Sequence, residues 1–216
     1  MKSEQTKKEL SEKQLANKHR IWRKVLVGVT TVVAIALFIV WSVTPRKDTI
    51  DTSDLPASYM ITSEHNFVEY QTGRDCAGYA SAYVLRHLGE EIEGRYLYKE
   101  MSFKVGNGVA LGGVRKVFAD RGYDASSYTG TIDTLKKRVS MGIPVVAFVT
   151  IGEEGLHYVA IVGYDEEYIY MADSTGYSKN IYQNNLMNRK LTYEEFEAIW
   201  QTNIYPVNNI YTVINS

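Results

Sequence analysis

The sequence predicts an α+β domain, with N-terminal helices packed on an antiparallel sheet, preceded by one transmembrane helix. Segments with helical periodicity come mainly in the first part of the domain, and segments rich in valine, isoleucine and tyrosine come mainly in the second. This order is typical of α+β domains. The membrane helix is predicted from an uncharged run of 19 residues near the start of the chain, Val25–Val43.

Four helices and four strands account for the periodic segments of the domain. The helices are expected at Cys76–His87, Leu111–Arg121, Thr131–Met141 and from Thr192 to Trp200. The strands are expected at Pro144–Thr150, Tyr158–Tyr164, Glu167–Ala172 and Ile210–Ile214. The last helix has the clearest start signal, because Thr192 and Glu195 have the spacing of a capping box.

The apolar run Val25–Val43 has the length of a membrane span. At about 1.5 Å per residue it covers roughly 28 Å of hydrocarbon, and Trp22 and Trp41 lie near its ends, as interfacial aromatic residues do. The alternative is a cleaved signal peptide, but the apolar core of such a peptide is usually shorter. The segment after Phe38 also offers only a poor cleavage site, ending at Ser42. An uncleaved anchor is therefore the preferred interpretation.

The charges on the two sides of this run predict its orientation. Residues 1–24 carry eight basic side chains against three acidic ones, whereas the other side offers only Arg46 and Lys47 before several aspartates. The positive-inside rule then places the N-terminus in the cytoplasm and the bulk of the chain outside. The expected layout is a cytoplasmic basic tail (1–24), a transmembrane helix (25–43), a linker (44–62) and a globular domain (63–216).

The composition narrows the class of protein. Residues 48–216 hold 14 of the 24 basic and 22 of the 25 acidic side chains, a formal net charge of −8, which argues against nucleic acid as a partner. A single cysteine rules out an intramolecular disulfide. His19, His65 and His87 lack metal-ligand spacing, and the glycines near residue 107 lack the lysine of a phosphate loop. Neither a metal nor another cofactor is therefore expected.

The only cysteine, Cys76, lies where a nucleophilic thiol would be placed. It opens a predicted helix, and the N-terminus of a helix presents unpaired N–H groups and a positive dipole end, which favour a thiolate. Asp75 is expected to cap this first turn. The small residues after Cys76 would let the helix lie close to a sheet. The alternative is a buried and inert thiol, which is the usual fate of a lone cysteine.

A histidine and an aspartate follow on two neighbouring predicted strands. His157 opens the first strand and Asp173 closes the second. If the two strands form a hairpin centred near Asp165, Asp173 falls opposite His157 or one diagonal step from it, within side-chain reach. The imidazole can then take the thiol proton while the carboxylate fixes its tautomer. The alternative is an unrelated surface histidine and a turn aspartate.

Gln71 is a candidate for a fourth role. It precedes Cys76 by five residues, so its side-chain N–H can lie beside the backbone N–H of Cys76. Two such donors form an oxyanion hole for the tetrahedral intermediate of acyl transfer. A glutamine in a loop is otherwise more often solvated.

These residues together resemble a known family. The pattern Gln71-x4-Cys76, the helix ending Val-Leu-Arg-His-Leu-Gly, the strand pair from His157 to Asp173 and the late segment Tyr-Glu-Glu-Phe-Glu-Ala-Ile-Trp are similar to those of the C39-like cysteine peptidases, relatives of the bacteriocin-processing peptidases. The resemblance covers about Phe67 to Tyr211, and its most specific part is the His–Asp strand pair.

The resemblance implies a papain-like fold with Cys76 as nucleophile, His157 as base, Asp173 as orienting acid and Gln71 as oxyanion donor. One departure is Ala77, since the family usually has glycine directly after the cysteine. Transporter-linked members cut double-glycine leaders in the cytoplasm, whereas this domain is expected to lie outside and without a transporter.

The expected function is that of a membrane-anchored C39-like cysteine peptidase of a bacterial cell surface, which hydrolyses a peptide or protein substrate through a thioester. Two alternatives stay open. A thiol amidase or acyltransferase of the cell envelope uses the same order of residues, and a catalytically silent peptide-binding module keeps the fold.

Overall fold

The computed structural model describes residues 18–35, 44–63, 65–106, 108–152, 155–176, 185–203 and 207–215. The chain divides into two compact units, Met1–Thr44 and Pro45–Ser216. In the first unit, residues 18–35 form a helix, α1. None of the described helices combines the length and the apolar character needed to cross a membrane. Residues 36–43 of the predicted span, and residues 1–17 of the predicted tail, lie outside the described residues.

The second unit has the predicted α+β composition. Its helices are α2 (Cys76–His87), α3 (Gly94–Glu100), α4 (Leu111–Ala119), α5 (Ile132–Val139) and α6 (Tyr193–Trp200). Its strands are β1 (Arg46–Lys47), β2 (Tyr59–Met60), β3 (Lys104–Val105), β4 (Gly108–Val109), β5 (Asp124–Thr129), β6 (Val145–Ile151), β7 (Gly155–Tyr164), β8 (Tyr168–Ala172), β9 (Arg189–Thr192) and β10 (Ile210–Asn215). Every predicted helix and strand of the domain is present, with ends shifted by at most three residues.

Eight of the strands form one sheet in the order β1-β5-β10-β6-β7-β8-β9, with β2 paired to β7. Every pair is antiparallel except β1 with β5. The remaining two strands, β3 and β4, form a small hairpin of their own. The antiparallel sheet is therefore confirmed, although α3 and several strands were not predicted from the sequence.

Strands β6 and β7 form the centre of the domain because they are buried on both faces. Val146, Phe148 and Tyr158 pack into a cluster with the apolar residues of α2 and α4. Residues that alternate with them on β6, such as Val145 and Val149, pack into a second cluster with α5 and α6. This alternation is what a strand covered by helices on both sides requires. The first cluster packs α2 directly against one face of β7.

The segment 44–62 is not the linker that the sequence predicts, because it adds two strands to the sheet. β1 pairs with β5 and β2 pairs with β7. Between them Asp48 is buried, and its carboxylate accepts hydrogen bonds from the Arg138 guanidinium at 2.8 and 2.9 Å and from the Tyr211 hydroxyl at 2.6 Å. Burial alone would raise the pKa of Asp48, but these hydrogen bonds hold it below its usual value. The prolines and turn formers that suggested a linker therefore lie in an ordered strap.

Candidate active site

The helix α2 begins with Cys76, and close packing fixes its first turn. Cys76 is buried, with 8% of its surface exposed. The backbones of α2 and α3 lie close together at Gly78 and Gly94. A Cβ on Gly78 would collide with the Gly94 carbonyl, and one on Gly94 would collide with Tyr79. Glycine is thus required on both α2 and α3 at this crossing. The small residues after Cys76 serve this contact with α3 as well as the contact with β7.

The capping role expected of Asp75 is absent, which corrects the prediction. Its side chain makes no capping hydrogen bond, and its Oδ1 is buried without a hydrogen-bond partner among the described residues. Its backbone φ and ψ of −109° and 20° differ from the extended conformation usual at an N-cap. The first turn is closed instead by a backbone hydrogen bond of 2.9 Å from the Gly78 N–H to the Asp75 carbonyl.

His157 and Asp173 are brought together as the strand pattern predicts. Ala160 pairs with Ala172 in the β7–β8 ladder, so that continuing the register puts Asp173 opposite Val159, one diagonal step from His157. Nε2 of His157 lies 2.7 Å from Oδ1 of Asp173. Both side chains are almost completely buried. The hairpin therefore holds the imidazole in a fixed orientation.

Asp173 has further partners that sequence reasoning missed. Its Oδ2 accepts a hydrogen bond of 2.9 Å from Nη1 of Arg189, and its Oδ1 accepts one of 2.9 Å from the Thr175 N–H. Asn188 bonds both the N–H and the carbonyl of the Asp173 backbone, at 2.8 Å each. The one signal for Arg189 is its alternation with Leu191 on β9, which puts both on a buried face.

These contacts set the charge of the carboxylate. Burial alone would raise the pKa of Asp173, but hydrogen bonding and charge from His157, with help from Thr175 and Arg189, lower it overall. Asp173 therefore stays ionised, which is the form that can orient and stabilise an imidazolium.

The Cys76 thiol lies beside the His157 ring, close enough for a side-chain hydrogen bond to the imidazole. Burial lowers the pKa of His157, but the hydrogen bond to Asp173 and the interaction with Cys76 outweigh it and raise that pKa to about 9. The imidazole is thus protonated at neutral pH. Hydrogen bonds of this kind are often loose before a substrate binds, so the arrangement is compatible with a nucleophile and its base.

Gln71 lies in the wall of the same cavity as Cys76. Its Oε1 accepts a hydrogen bond of 2.7 Å from the Ser174 hydroxyl, and its Nε2 donates one of 2.8 Å to the Gly73 carbonyl. An amide nitrogen carries two N–H groups, so this leaves one available to a ligand. The role of Gln71 as an oxyanion donor stays a prediction.

A cavity of about 730 Å³ opens at Cys76 and His157. Its lining comes from the loop before α2 and the first turn of that helix, from the β3–β4 hairpin with Ala110, and from the facing ends of β6 and β7. Its size is in the range of sites that bind small molecules or part of a peptide. Within the described part of the chain, no group of three or more His, Cys, Asp or Glu residues is arranged to hold a metal ion.

Comparison with known proteins identifies the fold of this domain. The model of the Peptidase_C39 like family matches residues 58–205 of the chain. The search of curated proteins finds no match.

Three solved structures are similar to the chain. The peptidase domain of Streptococcus ComA, a bifunctional ABC transporter involved in quorum sensing, has a TM-score of 0.55 and 19% identity over 69% of this chain and 98% of its own. A putative C39-like peptidase from Bacillus anthracis has a TM-score of 0.53 and 20% identity, over 73% and 98% of the two chains. A double glycine motif protease from an AMS/PCAT transporter, in complex with the leader peptide, has a TM-score of 0.51 and 16% identity, over 72% and 96%. At these identities the likeness establishes the fold.

Proposed function

The chain belongs to the Peptidase_C39 like family, and from that premise we propose that it is a membrane-anchored cysteine peptidase with a Cys76–His157–Asp173 triad. The observation that carries the proposal is the position of the only thiol at the start of α2, beside an imidazole that a buried carboxylate orients at 2.7 Å. Nucleophilic catalysis requires a nucleophile in contact with a base, and a base in contact with an orienting acid. Cys76, His157 and Asp173 are in contact in that order.

The chemistry proceeds through two acyl transfers. The Cys76 sulfur attacks the carbonyl carbon of the scissile bond, and the carbonyl electron pair moves onto oxygen. The backbone N–H of Cys76 and the Gln71 amide are the proposed donors to that oxyanion. As the oxyanion collapses, the C–N bond breaks and the His157 imidazolium gives its proton to the leaving amine. A water molecule, deprotonated by His157, then attacks the thioester and releases the acid and the Cys76 thiolate.

The proposed substrate is a peptide or a protein. Support comes from the transporter-derived protease of similar fold, which was solved in complex with a leader peptide. The cavity at Cys76, of about 730 Å³, is also large enough for part of a peptide. The thioester is common to hydrolysis and to transfer onto another amine, so analysis of the products separates a peptidase from an acyltransferase.

The proposed location is the extracytoplasmic side of a cell membrane, with residues 25–43 as a single-pass anchor. Support comes from the length of the apolar run and the excess of basic residues before it. Protease added to intact cells should digest the domain while the mature protein keeps its N-terminus. A mature N-terminus near Val43 would instead indicate a cleaved signal peptide.

Alkylation of the full chain by iodoacetamide tests the triad directly, because Cys76 is the only thiol. At pH 6–7 we expect the folded protein to react much faster than the same protein unfolded in denaturant, and His157→Ala to slow the reaction. Each adduct is counted by intact-protein mass spectrometry. Equal rates for the folded, unfolded and His157→Ala proteins would refute an activated thiol and would favour a binding module.

A further inference from the structure

The cavity at Cys76 has apolar walls that the acyl-transfer chemistry does not itself need. Six side chains form most of these walls: Val109, Ala110, Phe148, Ile151, Leu156 and Tyr158. Of the polar lining residues, Gln71 and Arg74 belong to the loop that leads to Cys76, and His157 lies beside the Cys76 thiol. The cavity therefore joins a reactive end to an apolar compartment.

The floor of this compartment is fixed by an aromatic pair. The rings of Phe148 and Tyr158 lie 4.8 Å apart between centroids, and both residues are buried. The Tyr158 hydroxyl donates a hydrogen bond of 2.9 Å to the Val109 carbonyl. This bond ties the floor on β7 to the opposite wall on β4. The compartment is thus preformed, and a ligand does not need to order it.

Position 110 in the lining of this compartment carries a small residue. Ala110 is the N-cap of α4 and is only partly buried, with its side chain in the cavity lining. Its extended backbone, with φ of −71° and ψ of 158°, is open to any L-residue. A longer side chain here would occupy cavity space without straining the backbone.

We propose that this compartment is a specificity subsite for a large apolar side chain, such as that of leucine or phenylalanine. The side chain belongs to the substrate residue whose carbonyl carbon Cys76 attacks. The inference rests on the proposed function and names its substrate class. A branched or aromatic side chain gains by leaving water for these walls, whereas glycine fills nothing and a charged side chain loses its hydration. Discrimination by such a pocket is about 10–200-fold.

Peptidyl chloromethyl ketones test the subsite without knowledge of the natural substrate. The full chain is treated with N-acetyl-leucyl, N-acetyl-glycyl and N-acetyl-aspartyl chloromethyl ketone, and with iodoacetamide as a reagent that carries no side chain. The rate of adduct formation on Cys76 is divided by the iodoacetamide rate of the same protein. We expect the leucyl reagent to react about 10–200-fold faster than the glycyl reagent, and the aspartyl reagent to be the slowest.

Two variants locate the effect. Ala110→Leu should reduce the leucyl-to-glycyl ratio to near one, whereas Ala119→Leu, an exposed position on the same helix α4, should keep the wild-type ratio. If Ala110→Leu does not fold, Val105→Asp serves in its place, because Val105 lines the cavity yet is 73% exposed, so a charge there should lower the ratio without disturbing the core.

The outcomes separate this inference from the proposed function. If iodoacetamide reacts fast but the glycyl reagent reacts as fast as the leucyl one, the subsite is refuted and the activated thiol is still supported. A preference for the aspartyl reagent also overturns it, because Arg74 would then be selecting the substrate. A folded protein that reacts with iodoacetamide no faster than the unfolded one refutes both. A leucyl preference that Ala119→Leu removes as fully as Ala110→Leu refutes the assignment to this cavity.

Discussion

On the hairpin side of the candidate site, His157 and Asp173 expose 2% and 0% of their surface, and each carboxylate oxygen of Asp173 accepts at least one hydrogen bond. On the helix side, the loop that leads to Cys76 is largely exposed, Asp75 makes no capping hydrogen bond, and Cys76 keeps 8% of its surface exposed. The fold thus holds His157 and Asp173 in fixed positions relative to each other. Cys76 is held by the packing of α2 and lies beside the His157 ring.

Removing the thiol is the strongest test of the helix side. Cys76→Ala should abolish turnover of any substrate, because no other residue of the site can form the thioester. The measurement is product formation from a peptide mixture, followed by mass spectrometry. The melting temperature should stay near that of the wild type, since alanine fills most of the space of a buried thiol. Turnover by this variant would contradict the assignment of the nucleophile.

Asp173→Asn tests the hairpin side most directly, because it removes the charge next to His157. The neutral amide no longer stabilises an imidazolium and favours the wrong tautomer, so kcat should fall by about 10⁴-fold, as in serine triads. Alkylation of Cys76 should slow as well, because His157 serves both reactions. An unchanged alkylation rate would show that Asp173 does not act through the histidine.

The ion pair between Arg189 and Asp173 should contribute to the free energy of unfolding. Arg189→Met removes one of the two cationic neighbours of the buried Asp173 carboxylate and leaves only the His157 imidazolium. Loss of one member of a buried pair costs up to about 3–5 kcal/mol in the free energy of unfolding. Urea denaturation measures the change. The matched control is Lys190→Met, whose ammonium lies exposed over the Tyr168 ring and should contribute about 1 kcal/mol or less. Equal losses in the two variants would contradict the buried pair.

If Gln71 is an oxyanion donor, its loss should slow turnover but not alkylation of Cys76. Gln71→Ala should lower kcat by about 10²–10³, a loss of roughly 2.7–4 kcal/mol of transition-state stabilisation, while alkylation, which develops no oxyanion, stays the same. Ser174→Ala is the control, because it removes the hydrogen bond to Oε1 and keeps the amide N–H groups. If Gln71→Ala slows alkylation as much as turnover, the residue holds the loop and not an oxyanion.

The raised pKa of His157 gives the smallest effect, a dependence of stability on pH. Its folded-state pKa of about 9 lies above the ordinary 6.5, so protonation stabilises the fold fully below pH 6.5. This contribution is lost as the pH rises through about 9. The difference in free energy of unfolding between the wild type and His157→Gln, measured in urea from pH 6 to 9.5, should therefore shrink by about 1–3 kcal/mol. A difference that grows with pH would mean that the imidazole is neutral in the folded protein.

The parts of the site that the sequence predicts are those that local patterns determine. The bounds of α2 follow from small and apolar residues, and the capping box of Thr192 and Glu195 is confirmed, with the Thr192 side chain accepting from the Glu195 N–H. Strand alternation and a short turn predict the hairpin of β7 and β8 and bring His157 near Asp173. The register at the site also depends on a shift between Ile161 and Gly163, which the sequence did not predict.

What the sequence does not predict depends on partners far away in the chain. β5 has the polar sequence Asp-Ala-Ser-Ser-Tyr-Thr, and it is a strand because β10 pairs with it along its whole length. Arg189 stands in a four-residue strand with two basic residues, and only the pairing of β9 with β8 brings it to Asp173. Propensity is a weak guide where tertiary pairing decides the structure.

The strap that contains Asp48 determines where an independently folding fragment has to begin. A fragment cut at residue 63, the domain start that the sequence predicts, would lose β1 and β2 and would leave the Arg138 guanidinium, with 14% of its side chain exposed, facing a missing carboxylate. The Tyr211 hydroxyl would keep only its contact with Thr134. A fragment cut at Pro45 keeps all of these partners. Residues 45–62 are therefore as much a part of the folding unit as the strands at its centre.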